Sequence, residues 1–202
     1  MPRLAVATTN RGKLREIADL LKGLPFELVT LKEWPDVAAP EENGRTFAEN
    51  ARLKALYYAA HTGELTVAED SGLEIDELGG APGIESARFG GPDSSYPEKF
   101  DLIYRRLRAN GAGDPAGSRA RFVCALALAR DGRILFESRG VIEGRIAPEP
   151  RGSGGFGYDP IFFYPPFGST LAEAGDRKAG VSHRGEAFRA LREFLERGQT
   201  SG

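Results

Sequence analysis

Four apolar residues, Leu4-Ala5-Val6-Ala7, lead through Thr8-Thr9 into Asn10, and beyond it Leu14, Ile17, Ala18 and Leu21 recur at i, i+3, i+4 and i+7. The first run reads as a strand and the second as the buried stripe of an amphipathic helix. A strand that feeds a helix this directly belongs to an α/β architecture. Asn10 is the natural N-cap, which puts Gly12 and Lys13 in the first helical turn. The unpaired N–H groups and positive dipole end there favour an anion and disfavour a bare cation. Thr8, Thr9, Asn10, Arg11, Gly12 and Lys13 therefore form a candidate phosphate site. A simply solvated Lys13 is the plainer alternative, and the segment alone does not choose between them. It is not a Walker A loop, because Ala7 stands where that motif has its first glycine and Leu14 where it has Ser or Thr.

Further along, Phe26 to Leu31 reads as a strand, and Trp34-Pro35 opens an acidic loop that runs to Gly44. Thr46-Phe47-Ala48-Glu49 is a capping box, starting a helix with Phe47, Ala51, Ala55 and Tyr58 on one face and Gly63 at its end. Leu65 to Ala68 reads as a strand ending in Glu69-Asp70-Ser71-Gly72, with a second short strand at Leu73 to Asp76. Pro97 suits the first position of a helix whose stripe is Phe100, Ile103, Tyr104 and Leu107. Arg121 to Ala129, the turn at Asp131-Gly132 and Arg133 to Ser138 form a hairpin, extended by Val141 to Ile146, so the sheet is mixed. A glycine-rich loop precedes a strand at Ile161 to Tyr164. A short capped helix is expected at Thr170 to Ala174, a basic loop at Asp176 to Arg184, and a final helix with Ala187, Phe188, Leu191 and Leu195 inward. Gly198 to Gly202 reads as a frayed tail.

The 202 residues, 41% of them hydrophobic, suffice for one globular domain spanning 1–202. A net charge of −2 excludes a protein that coats nucleic acid through a broad basic face. Cys124 is the one cysteine and lies in the apolar run Phe122 to Leu128, which rules out an intrachain disulfide and suits a reducing compartment. No apolar signal core and no stretch of roughly 18 apolar residues is present, so the expectation is a cytoplasmic protein without a membrane partner.

Three more constellations carry chemistry. Paired carboxylates Glu69-Asp70 could hold Mg²⁺, an ion that keeps waters and shares substrate phosphates, and one of them could accept a proton from water; a polar turn is the competing reading. Glu41-Glu42 could add a metal ligand or be a solvated pair. In Gly154 to Pro160, glycines flank Phe156, whose ring could stack on a base, while Asp159 could accept hydrogen bonds from ring N–H groups; a core-plugging Phe156 is the alternative. Ser182 is a plausible cap that sets His183 and Arg184 in a first helical turn, again beside where an acceptor would bind. Neither zinc spacing nor a Gly-x-Ser-x-Gly elbow occurs.

Taken in order, T-T-N-R-G-K, T-F-A-E-N-A, E-D-S-G-L, G-G-A-P-G-I-x-S-A-R, G-G-F-G-Y-D-P-I-F and S-H-R-G resemble the inosine triphosphatase family of non-canonical purine nucleoside triphosphate pyrophosphatases across residues 4 to 195. That resemblance implies an elongated mixed β-sheet with flanking helices, two lobes around a central nucleotide-binding cleft, and a homodimer. It implies Mg²⁺-dependent conversion of ITP, dITP and XTP to monophosphate and pyrophosphate. By position, Thr8 to Lys13 would bind the triphosphate and Glu42 and Asp70 the metal, with Asp70 also the proton acceptor. Ser71 would contact substrate. Phe156, Gly157, Tyr158 and Asp159 would hold the base and sugar, Lys178 would approach the base from the far side, and His183 and Arg184 would read the purine 6-oxygen. Glu41, Glu42 and Glu69 remain open as the residue completing the metal site. Hydrolysis of modified pyrimidine triphosphates and non-catalytic nucleotide sensing are the alternatives to this activity.

Overall fold

The computed structural model describes residues 1–111 and 115–199. Its elements are β1 (Arg3–Val6), α1 (Arg11–Leu21), β2 (Glu27–Thr30), α2 (Phe47–Thr62), β3 (Leu65–Ile75), α3 (Tyr96–Ala109), β4 (Arg119–Arg130), β5 (Arg133–Ile146), β6 (Phe162–Tyr164), β7 (Ser169–Thr170), α4 (Arg177–Val181) and α5 (His183–Gln199). The seven strands are ordered β2-β1-β3-β4-β5-β6-β7. β1 is parallel to β2 and β3, whereas β6 is antiparallel to β5 and β7, so the sheet is mixed as expected.

Contacts divide the chain into two compact units, Met1–Asp70 with Cys124–Gly140 and His183–Gly202, and Ser71–Val123 with Val141–Ser182. Each has its own apolar core. In the first, Leu4, Val6 and Val67 meet Ile17 and Leu21 of α1 and Phe188 and Leu191 of α5. In the second, Leu73 and Ile75 meet Phe100, Ile103 and Leu107 of α3 together with Ile146, Ile161 and Phe162. Each such side chain fully removed from water is worth about 1.5–3 kcal/mol before conformational entropy is counted.

Capping chemistry sets the helix starts. The Asn10 side chain accepts from the N–H groups of Gly12 and Lys13, the Thr46 hydroxyl from that of Glu49, and Ser95 forms a complete capping box with Glu98. At Thr46 the reciprocal half is displaced by one residue, since the Glu49 carboxylate accepts from the N–H of Arg45 at 2.6 Å. The hairpin turn at Asp131-Gly132 has positive φ at both residues, as a two-residue turn matched to the strand twist requires.

Several expectations need correction. Glu69 to Gly72 do not end a strand or form a turn but continue inside β3. Gly72 is required there for a different reason, because a Cβ would lie 2.2 Å from the Ser86 Oγ and 2.7 Å from the Gly83 carbonyl oxygen. Ala18 is exposed, and the inner face of α1 is made instead by Ile17 and Leu21 with partly buried Leu14 and Leu20, Leu24 joining the core just beyond the helix. Pro97 occupies the second helical position of α3, after Tyr96. Thr170 to Ala174 is not a helix: Thr170 belongs to β7, and Glu173 closes a single turn by accepting from the Thr170 N–H and hydroxyl. The basic loop contains α4. Gly198 and Gln199 belong to α5, and the rest of the expected tail, 200–202, lies outside the described residues.

Candidate active site

In the first unit, β1 delivers its chain end to α1 and the Asn10 cap orients the turn that carries Lys13. The Lys13 ammonium lies 2.8 Å from Oε1 of Glu69 on β3. Thr8 is half-buried and accepts from the Asn10 N–H at 3.2 Å, while Thr9, Asn10 and Arg11 are exposed and Gly12 is half-buried. Of the two adjacent carboxylates Glu69 and Asp70 on β3, Glu69 is the more enclosed. Burial alone would push its carboxyl up, but the Arg184 and Lys13 charges outweigh that and hold it well below the usual carboxylate range. Arg184, in the first turn of α5, donates to Glu69 across 3.5 Å and to Glu16 across 2.5 Å. A buried guanidinium survives desolvation only when paired in this way.

α5 comes close to β5 at Gly140, where a Cβ would fall 2.0 Å from the His183 carbonyl oxygen and 2.9 Å from the Ala187 N. That glycine therefore sets the height at which His183 and Arg184 enter the unit. Both are buried, as is Ser182.

Asp70 faces a second cation. The Lys54 ammonium of α2 lies 3.4 Å from Asp70 Oδ1 and 3.2 Å from Glu42 Oε1. Asn50, one turn earlier, donates from Nδ2 to Asp70 Oδ2 at 3.1 Å and accepts the Gly44 N–H at 2.9 Å. Its amide thus ties the end of the acidic loop to the carboxylate. Gly44 permits this, since a Cβ there would lie 2.5 Å from Asn50 Oδ1. Burial raises the Asp70 carboxyl above its ordinary value against the pull of Lys54 and Lys13, which keeps it basic enough to accept a proton. Burial would lower Lys54, but Asp70 and Glu42 outweigh it and raise it.

The sequence assigns no role to Lys54, nor to Asn50 beyond its place in the T-F-A-E-N-A motif. Their signal was a pair of polar residues at i, i+4 beside the apolar face of α2, and both are buried.

Two carboxylates far apart in sequence converging on one ammonium form an oxygen donor set suited to a hard cation. Among the described residues no group of three His, Cys, Asp or Glu forms a closed cage. Two carboxylates, Asp70 and Glu42, would suffice for an ion such as Mg²⁺, which takes one or two carboxylates and fills its remaining positions with water and substrate phosphate. Glu41 is exposed, and the Glu69 oxygens face Lys13, Arg184 and Cys124, leaving Glu42 as the better placed companion of Asp70.

In the second unit, the glycine-rich loop is organised by Asp159. Its Oδ2 accepts from the Phe156 N–H at 2.8 Å and from the Lys178 ammonium at 2.8 Å. Lys178 also lies over the half-buried Phe156 ring, 4.7 Å from its centroid. Gly155 makes room with a φ of +69°, and a Cβ there would fall 2.0 Å from the same carboxylate oxygen. Gly157 is likewise left-handed. Tyr158 is buried, donates to the Ser86 carbonyl at 2.8 Å and packs edge-on against Tyr96 at 5.3 Å. Ser71 is half-buried on β3. Phe156, Tyr158, Asp159 and Lys178 are thus brought together, as the sequence reading expects, although the Asp159 carboxylate is engaged by the loop itself.

Comparisons with known proteins agree along the whole chain. The Ham1 family model matches residues 4–194. A dITP/XTP pyrophosphatase of an Exiguobacterium species is 47% identical over 94% of this chain and 94% of its own. A dITP/XTP pyrophosphatase of Gloeobacter violaceus is 50% identical over 96% of this chain and 95% of its own. Among solved structures, a HAM1 protein from Coxiella burnetii is 38% identical and superposes with a TM-score of 0.89 over 98% of this chain and 100% of that one. Full-length identity at this level, together with the same α/β architecture, leaves one assignment: the chain belongs to the Ham1 family.

Proposed function

We propose that this chain is a nucleoside triphosphate pyrophosphatase that converts ITP, dITP and XTP to the monophosphate and pyrophosphate, clearing deaminated purines from the cytoplasmic nucleotide pool. The observation that carries the reading is the pairing of two lysines with three carboxylates in one unit, Lys13 with Glu69 and Lys54 with Asp70 and Glu42. Such a cluster meets the two needs of attack on a phosphoanhydride, positive charge for the phosphates and a base for water. The match of the chain to dITP/XTP pyrophosphatases over nearly its full length supports the substrate class and supports treating 1–202 as one functional domain.

In this reading Lys13 and the first-turn N–H groups of α1 bind the triphosphate, with Thr8, Thr9, Asn10 and Arg11 lining the turn. Mg²⁺, when held by Asp70 and Glu42, would neutralise charge on the phosphates and the departing pyrophosphate. Asp70 takes the proton of the water that attacks the α-phosphorus, and Asn50 fixes the carboxylate that does so. Lys54 supplies charge beside it. Ser71 contacts substrate. Phe156 offers a stacking face, Lys178 a cation above it, and Gly157 with Tyr158 shapes that loop, while Asp159 holds Phe156 and Lys178 in register. His183 and Arg184 present donors to a 6-oxo group. ATP offers an amino donor at that position and would strand them, at about 1–3 kcal/mol for each buried group left unpaired. The homodimer implied by the family resemblance belongs to the same proposal and is read by analytical ultracentrifugation.

Turnover of ITP in H₂¹⁸O tests the reaction itself. Label in the inosine monophosphate and none in pyrophosphate is the expected result, since water then attacks the α-phosphorus. Label in orthophosphate or pyrophosphate would place the cleavage elsewhere and overturn the assignment.

A further inference from the structure

Beyond its pairing with Lys13, Glu69 takes no step in the reaction above, yet four elements of the first unit meet at its carboxylate. Oε1 is shared by the Lys13 ammonium of α1 at 2.8 Å and the Arg184 guanidinium of α5 at 3.5 Å, while the Cys124 thiol of β4 donates to Oε2 at 3.3 Å. The Glu69 side chain is 1% exposed and that of Arg184 2%, whereas that of Lys13 is 17% exposed.

These exposures bear on what the arrangement is for. Arg184 is enclosed and needs a counter-charge, but Glu16 already supplies one at NH1. Lys13 reaches water and could remain hydrated without any carboxylate. A buried glutamate that contacts both therefore does more than balance a buried charge: it holds the lysine assigned to phosphate and the arginine assigned to the base on a single oxygen. Burial pushes the Cys124 thiol well above its ordinary value, and Glu69 pushes it further, so the thiol remains a neutral donor and leaves the Glu69 charge for the two cations.

We propose that Glu69 is a positioning residue that couples phosphate engagement to base discrimination, by holding Lys13 until a triphosphate competes for it and by fixing the Arg184 guanidinium that faces the base. This rests on the functional reading of Lys13 and Arg184 given above. Two consequences have opposite signs. Removing the Glu69 charge releases Lys13 and reduces repulsion of polyphosphate, so a ligand with no base binds more tightly. The same change leaves Arg184 less constrained, so the preference for a 6-oxo purine over ATP falls. Coupling between two sites of one protein commonly amounts to about 5- to 150-fold.

The test uses inorganic tripolyphosphate with Mg²⁺ as the base-free probe, measured by calorimetry, and the kcat/KM ratio of ITP to ATP. Glu69→Gln is expected to bind tripolyphosphate about threefold tighter or more while its ITP/ATP ratio falls about tenfold. Glu69→Asp, which keeps the charge at shorter reach, is expected between wild type and Glu69→Gln on both readouts. Equal losses on tripolyphosphate, ITP and ATP would mark a merely structural residue and overturn the proposal, as would values unchanged from wild type. If Glu69→Gln lacks a cooperative melt, Glu69→Asp decides alone by the same criterion of opposite shifts. Lys13→Ala and Arg184→Ala are the controls for the underlying reading. If the first binds tripolyphosphate as wild type does, or the second keeps the full ITP/ATP ratio, the assignment of that residue fails and the coupling falls with it; with both controls passed, the result bears on Glu69 alone.

Discussion

The two units solve the problem of enclosing charge differently. In the first, Lys13, Lys54 and Arg184 come from three helices and meet Glu69 and Asp70, adjacent residues of one strand. In the second, one ion pair, Lys178 with Asp159, organises an aromatic and glycine-rich loop. A charged cluster on regular elements can be rigid without being neutral, which is what phosphate chemistry needs. A loop held by one carboxylate presents an apolar face with little charge, which suits a base. The comparison predicts that substitutions at Asp70 and the lysines of the first unit act on turnover and phosphate binding, that those in the loop of the second act on stacking of the base, and that Arg184 in the first unit acts on the choice between bases.

The largest expected effect is at Asp70. Asp70→Asn should reduce kcat for ITP by about 10²–10⁴, the usual worth of a general base, with a melting temperature near that of wild type. Near-normal turnover in steady-state kinetics would remove Asp70 from the chemistry and blur the contrast between the units. Phe156→Ala should instead weaken ITP recognition by about 1–3 kcal/mol, the worth of one base–aromatic stack, while tripolyphosphate binding by calorimetry stays unchanged. If both ligands weaken together, the second unit is not specialised for the base.

How much of this was legible in the sequence depended on whether a residue's partner was local. Caps at Asn10 and Thr46, the Asp131-Gly132 turn and the stripe of α3 are read within a few positions, and they stand as expected. Glu69 to Gly72 were misjudged because Ser, Asp and Gly are turn formers by composition, whereas Gly72 serves an approach to Ser86, fourteen positions away. α4, five residues long and containing Gly180, is too short to show a period. Periodicity located the apolar face of α2 but says nothing of why Asn50 and Lys54 beside it are buried; that follows only from Asp70, 20 and 16 positions on. Likewise the donors of Arg184 were anticipated, but not the Glu16 carboxylate, 168 positions away. Charge partners across a fold carry no periodic signature, and the first unit is built of them.

Two smaller changes sharpen the comparison through stability. Gly155→Ala places a side chain at a φ of +69° and its Cβ against the Asp159 carboxylate, so it should cost about 1–2 kcal/mol from the left-handed backbone alone. It should also raise KM for ITP as Asp159 shifts away from Phe156 and Lys178. Urea denaturation and steady-state kinetics check the two parts, and a neutral result would mean that the loop yields easily. Thr46→Ala removes the cap of α2, the helix that carries Asn50 and Lys54, for about 1 kcal/mol of stability. That loss is expected in urea denaturation with kcat little changed, because Asn50 lies a turn inside the helix.

The most direct test of the whole account is pyrophosphate release by the wild-type protein over a panel of ITP, dITP, XTP, ATP and GTP with Mg²⁺ present. The charged cluster and the base-reading residues together predict efficient release from the three deaminated purine nucleotides and a kcat/KM for ATP lower by about a hundredfold, as two stranded donors would produce. Equal rates on ITP and ATP, or binding of ITP with no pyrophosphate formed, would contradict it.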